Sequence, residues 1–163
     1  MPNVEFDTLP ATARVWAFGA AAPIVGAAAE QLLNAVDAHL AQWRAHGMPL
    51  VCAREFKDDR FLAIAVDEAA TGASGCSIDG MFRVLASIES QLGTTLTGGS
   101  TLFWRDALGA VVAADRPTFR AANAEGNVSG DTHVFDLTVA SVGEWRTHFE
   151  RPARESWHSQ LLK

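Results

Sequence analysis

An α+β fold built on an antiparallel sheet is predicted for this chain by three observations. Two segments, Ala29 to Trp43 and Ile78 to Leu92, repeat apolar residues at helical spacing. Phe61 to Val66 carries no polar side chain, the mark of a strand covered on both faces or lying mid-sheet. Short apolar runs bounded by Gly, Pro and Asp complete a β-α-β-β-α-β order over residues 13–106.

The elements follow in order. Residues 1–11 are acidic at the start, lack the basic-then-apolar plan of a signal peptide, and read as a flexible arm. Ala13 to Phe18 is a short apolar strand stopped by Gly19. A helix is predicted from about Ala27 to His46. Its apolar stripe is Ala29, Leu32, Leu33, Val36, Leu40 and Trp43, with Glu30, Asn34 and Asp37 opposite and Gly47 and Pro49 as the stop. Leu50 to Lys57 is a strand with a charged second half, which suits a sheet edge. Asp58-Asp59 turns the chain into the apolar strand. A second helix carries Ile78, Met81, Phe82, Leu85, Ile88 and Leu92 on one face, with Ser77 as its expected N-cap and Gly93 as its close. Thr101–Asp106 and Ala110–Ala114 pair as strands. Pro117 opens a short helix, His133 to Val139 is extended, and Ser141-Val142-Gly143-Glu144 is a capping box. The expected whole is one domain: a ferredoxin-like (split βαβ) core over 13–106 and a C-terminal helical extension over 107–163.

Composition removes several functions. The 163 residues carry a formal charge of −6, the wrong sign for a general nucleic-acid binder. No run reaches the ~18 apolar residues of a membrane span. Two cysteines are too few for a disulfide framework, so Cys52 and Cys76 are expected as reduced thiols in the cytoplasm. The histidines lack zinc-site spacing, and neither a metal nor another cofactor is expected. Nor is there a G-x-x-x-x-G-K-[ST] loop: Lys57 and Lys163, the only lysines, do not follow glycine, which removes Walker-type ATP hydrolysis.

In the split βαβ arrangement, the end of the third strand and the start of the second share one end of the sheet. That places the Gly72–Asp79 loop near His46 and gathers the candidate site there. Cys76 and His46 are the candidate catalytic pair, a nucleophile at a helix start and its base. Arg14, Asp67, Glu68, Gly75, Ser77 and Asp79 are the candidate ligand-binding residues. The competing readings are a packed thiol for Cys76, a helix-end interaction for His46 and solvated strand ends for Asp67 and Glu68.

Four segments also carry a resemblance: Trp43-Arg44-Ala45-His46-Gly47-Met48-Pro49-Leu50, Arg60 to Glu68, Ala73-Ser74-Gly75-Cys76-Ser77-Ile78-Asp79, and Ser156-Trp157-His158. Together they resemble a group of small bacterial proteins that often bear the label "ABC transporter ATPase". The resemblance spans most of the chain and implies no catalytic residues. Three functions are therefore expected in order. The first is a non-catalytic module binding a small molecule or protein partner near Gly72–Asp79. The second is a thiol-dependent enzyme or redox protein using Cys76, and the third is a structural homodimer.

Overall fold

The computed structural model describes residues 4–69 and 71–163. The first half holds β1 (Arg14–Gly19), α1 (Gly26–Ala41), β2 (Arg44–Ala45), β3 (Met48–Pro49), β4 (Val51–Lys57), β5 (Phe61–Asp67) and α2 (Gly75–Leu92). The second half holds β6 (Leu102–Arg105), β7 (Val111–Ala114), α3 (Arg116–Ala124), β8 (His133–Phe135), α4 (Val142–His148) and β9 (Glu150–Pro152). The class is mixed α+β with antiparallel sheets, as the pattern predicts.

β5 lies between β1 and β4 and is antiparallel to both. Side chains alternate across a strand, so its apolar run serves two cores. Leu62, Ile64 and Val66 face α1 and α2, meeting Leu32, Val36, Leu40, Met81 and Leu85. Phe61, Ala63 and Ala65 face a second sheet, meeting Phe103, Phe135 and Phe149. That second sheet has the order β7-β6-β8-β9. Its far side, Leu102, Trp104 and Val134, is sealed by Phe119 of α3 and by Leu161. Helices, sheet, sheet and helix are stacked in four layers, with three apolar seams between them. No helix among the described residues is long and apolar enough to cross a membrane.

The strand order β1-β5-β4 is that of a split βαβ unit, but the fourth strand corrects the expected core. Residues 102–105 do not extend the first sheet beside β1; they form the centre of the second sheet. The reason is legible in the burial of β6. Leu102 and Trp104 are buried on one face and Phe103 on the other, which an edge strand does not offer. Gly19 admits this stacking, because a Cβ there would stand 2.6 Å from the Phe103 ring. The outer edge of β1 is instead met by the chain around Ala140, whose carbonyl accepts from Val15 N–H at 3.0 Å. The expected helical extension over 107–163 is thus largely the second sheet with its own helices.

Other boundaries move for local reasons. The first helix ends at Ala41, not His46. Trp43 leaves the helix to donate from Nε1 to the Ser77 carbonyl at 2.8 Å. The next residues turn back as the β2–β3 hairpin, with His46 and Gly47 at φ 52° and 78°. Gly47 therefore serves a hairpin turn instead of a helix cap. Asp58 and Asp59 both have positive φ, the pair of left-handed residues that a tight hairpin turn requires. The N-cap of α2 is Ser74, and Ser77 is its reciprocal partner: each side chain accepts from the other's backbone N–H, at 3.2 and 2.7 Å. The segment expected as a flexible arm is docked over Val4–Ala11. Val4 N–H donates to the Cys52 carbonyl at 2.9 Å, and Phe6 and Leu9 are buried in the inter-sheet core. Residues 1–3 lie outside the described residues.

Candidate functional site

The sequence-predicted constellation occupies one end of the first sheet. Arg14 opens β1 opposite Val66, and Asp67 closes β5 opposite Val51. Arg14 Nη1 stands 4.0 Å from Glu68 Oε1, and its guanidinium lies 4.6 Å over the Trp16 ring. Trp16 meets Trp43 edge-on at 6.0 Å, and Trp43 ties the first turn of α2 to this end through Ser77. Arg14, Asp67, Glu68 and Ser77 are thus gathered by β1, β5 and α2.

Most of their polar capacity is spent inside the protein. Glu68 Oε2 accepts from Ala73 N–H and Asp67 Oδ1 from Ala69 N–H, both at 3.0 Å. Ser77 is held in the capping box. Gly75 and Cys76 are exposed in the first turn of α2, and Asp79 is exposed just beyond it. His46 is exposed at the tip of the β2–β3 turn rather than at a helix end, and no side-chain hydrogen bond joins it to Cys76 among the described residues. Cys52 is the opposite case: burial pushes its thiol up to about 12, and its Sγ donates to the Leu40 carbonyl at 3.5 Å. Among the described residues, no group of three or more His, Cys, Asp or Glu side chains is placed to hold a metal ion.

A better-formed concavity lies between the two sheets. The chain from Val139 to Val142 runs along the outer edge of β1 as far as Val15, through Val15 N–H to Ala140 and Val142 N–H to Ala13. Beyond Val15 the two segments part. The gap is a cleft of about 290 Å³, walled by Ala17 and Phe18 of β1, Thr97 to Gly99, Leu137 and Trp157. The Leu102, Phe135 and His158 positions complete its inner wall. No Asp, Glu, Lys or Arg lines it among the described residues. Apolar walls with a few polar groups are the usual build of a small-molecule site, and the volume stands at the lower end of that class.

Two buried nitrogens of cleft-wall residues, Trp157 Nε1 and His158 Nε2, have no hydrogen-bond partner among the described residues. Unmet buried polar groups of this kind are costly and uncommon. The other His158 nitrogen, Nδ1, lies 2.8 Å from Ser156 Oγ, and the ring stacks on Trp157 at 4.0 Å. Burial pushes the His158 imidazole down to about 4; Asp136 opposes that shift and Arg116 reinforces it. A free imidazole takes its proton near 6.5, so unfolding binds a proton between about 6.5 and 4. Stability from this residue is complete above that window and is lost as pH falls through it, by up to about 3 kcal/mol. Urea unfolding from about pH 7 down to pH 4 should show this fall, and His158→Gln should flatten it. A fall of the same size in the variant would assign it to other groups.

Sequence reasoning missed this cleft. Its signals are the Gly98-Gly99 pair and the Ser156-Trp157-His158 segment, which carries part of the resemblance. What was missing is the divergence of two segments more than a hundred residues apart in sequence. Comparison with protein-family models, curated proteins and solved structures finds no match to this chain.

Proposed function

We propose that this protein is a non-catalytic module that binds a small molecule, and that the inter-sheet cleft is where it does so. The observation that carries the reading is the cleft itself: an apolar, uncharged concavity opened by the parting of β1 from the Leu137–Ala140 chain. Its lining offers hydroxyls and a histidine kept neutral by burial, and the hydroxyl beside that imidazole, Ser156 Oγ at 2.8 Å, is buried and is not among the lining residues. The β1-β5-β4 order supports a ferredoxin-like ancestry for the first sheet, with β6 diverted to build the second wall. The two free thiols fit a reducing compartment, which supports a cytoplasmic location. The test is an amide-resolved NMR titration with a mixture of small neutral metabolites. Shifts are expected at Ala17, Gly98, Gly99, Leu137 and the Trp157 indole. Shifts confined to Gly72–Asp79 would move the site to the loop expected from the sequence, and none at either place would end the binding reading.

A second reading is favoured by one observation, the exposure of Cys76 beside the capped start of α2. Here Cys76 is a nucleophile and His46 its base. Alkylation followed by mass spectrometry is expected to label Cys76 in the folded protein and to leave Cys52 unlabelled until unfolding. If His46→Ala leaves the Cys76 rate unchanged, His46 is no base for this thiol and the pair is dismissed. The homodimer reading draws on Leu108, which is 94% exposed at the β6–β7 turn. Light scattering of the wild type and of Leu108→Ser decides it: a monomer in both removes it.

A further inference from the structure

We infer that the cleft takes a neutral amide, specifically a single capped amino-acid residue with an aliphatic side chain, held as an added strand residue against Ala17. The inference rests on the binding reading above and names the ligand class of that site.

The argument starts from the edge of β1. Val15 N–H and the Ala13 carbonyl both point outward, to Ala140 and Val142. Backbone groups of an antiparallel strand alternate sides, so the N–H and C=O of Ala17 point off the same edge. Arg14, Trp16 and Phe18 turn theirs to β5, opposite Val66, Ile64 and Leu62. Among the described residues, no side chain or loop backbone bonds to Ala17. Gly19, next in the same phase, packs its Cα against the Phe103 ring and Leu137. The free edge therefore starts at Ala17 and is short, because β1 ends at Gly19. A residue in extended conformation satisfies it by donating its own N–H to the Ala17 carbonyl and accepting from Ala17 N–H through its own carbonyl.

The lining fixes the rest. With no charged side chain to pair it, a carboxylate, ammonium or phosphate entering the cleft would lose its hydration without compensation. A neutral ligand does not bear that cost. An acyl cap keeps the nitrogen of the bound residue a neutral amide that still donates to the Ala17 carbonyl. Phe18, Leu96 and Leu137 supply the apolar wall for an aliphatic side chain. A volume of about 290 Å³ leaves room for one such residue and its caps, not for a longer peptide.

The probe is N-acetyl-L-leucine methylamide, titrated into the unmodified protein and followed by amide-resolved NMR. Saturable shifts are expected at Ala17, Gly98 and the Trp157 indole, with the Ala17 amide proton moving downfield as it gains a hydrogen bond. N-acetyl-N-methyl-L-leucine methylamide lacks the donor for the Ala17 carbonyl and should bind about 2–10-fold more weakly. N-acetyl-L-leucinate, of similar shape and charged, should bind at least about tenfold more weakly. Equal binding of the N-methylated or charged compound at the cleft would overturn the amide assignment and leave the binding reading in place. The same holds if cyclohexanol, a neutral non-amide, binds there and the methylamide does not. Absence of saturable cleft shifts from all four compounds would overturn both.

Discussion

Phe61→Ala is expected to lower the unfolding free energy by about 3–5 kcal/mol, the range for truncating a buried aromatic. Phe61 is fully buried at the start of β5 and is the hub of the seam between the sheets. Its ring stacks on Phe135 at 4.5 Å and meets Phe103 and Phe149 edge-on, each at 5.1 Å. Removing it opens a void bounded by three rings from the second sheet and the end of α4. Those rings are held by β6, β8 and the end of α4, so collapse onto the void is limited and the cavity cost remains. Phe61→Leu keeps most of the apolar volume and should cost about 1.5 kcal/mol or less. Urea unfolding of the three proteins measures both differences. A loss below about 1 kcal/mol in the alanine variant would mean that the two sheets do not share one rigid core.

The second large effect is expected at Trp43→Ala, again about 3–5 kcal/mol. Trp43 is 3% exposed although it lies outside any helix. Its indole N–H holds the Ser77 carbonyl, its ring meets Trp16 and His39, and its own carbonyl accepts from Leu50 N–H. It therefore links the exit of α1, the entry to β4 and the first turn of α2. Trp43→Phe keeps an aromatic ring and loses the indole hydrogen bond, while the Ser77 carbonyl stays in the α2 ladder, so the loss should be about 0.5–1.5 kcal/mol. Hydrogen exchange separates this role from simple packing. The Gly75–Ile78 amides should exchange faster in both variants, whereas those of β6 and β8 should change only with global stability. A cost below about 1 kcal/mol for the alanine variant would place the residue at the surface.

How much of this was legible in sequence depended on range. The stripe Leu32, Val36 and Leu40, the unbroken Phe61–Val66 run and the Asp58-Asp59 turn each state their structure through neighbours within a few residues. So does Gly93, left-handed at the end of α2 at φ 67°. The end of α1 misled because Trp43 continues the helical spacing by coincidence. Its burial comes from Trp16 and the first turn of α2, partners that no local window contains. The Ser74 cap was displaced to Ser77 because Ser-x-x-Ser replaces the usual glutamate with a second hydroxyl in the reciprocal position.

Local pattern was enough for the class of the fold, the three-strand order of the first sheet and the gathering of Arg14, Asp67, Glu68 and Ser77 at one end of it. These follow from hydrophobic period, turn residues and the short connections that make antiparallel neighbours. Where Leu102–Arg105 goes, and with it the cleft, is set by the packing of the two sheets. Leu-Phe-Trp carries the apolar pattern of a doubly covered strand, but which surfaces cover it is settled by Gly19 admitting Phe103 and by the chain around Ala140 occupying the first part of the β1 edge. A site made by the parting of two distant segments has no local signature, because its geometry belongs to the packing of one sheet on another.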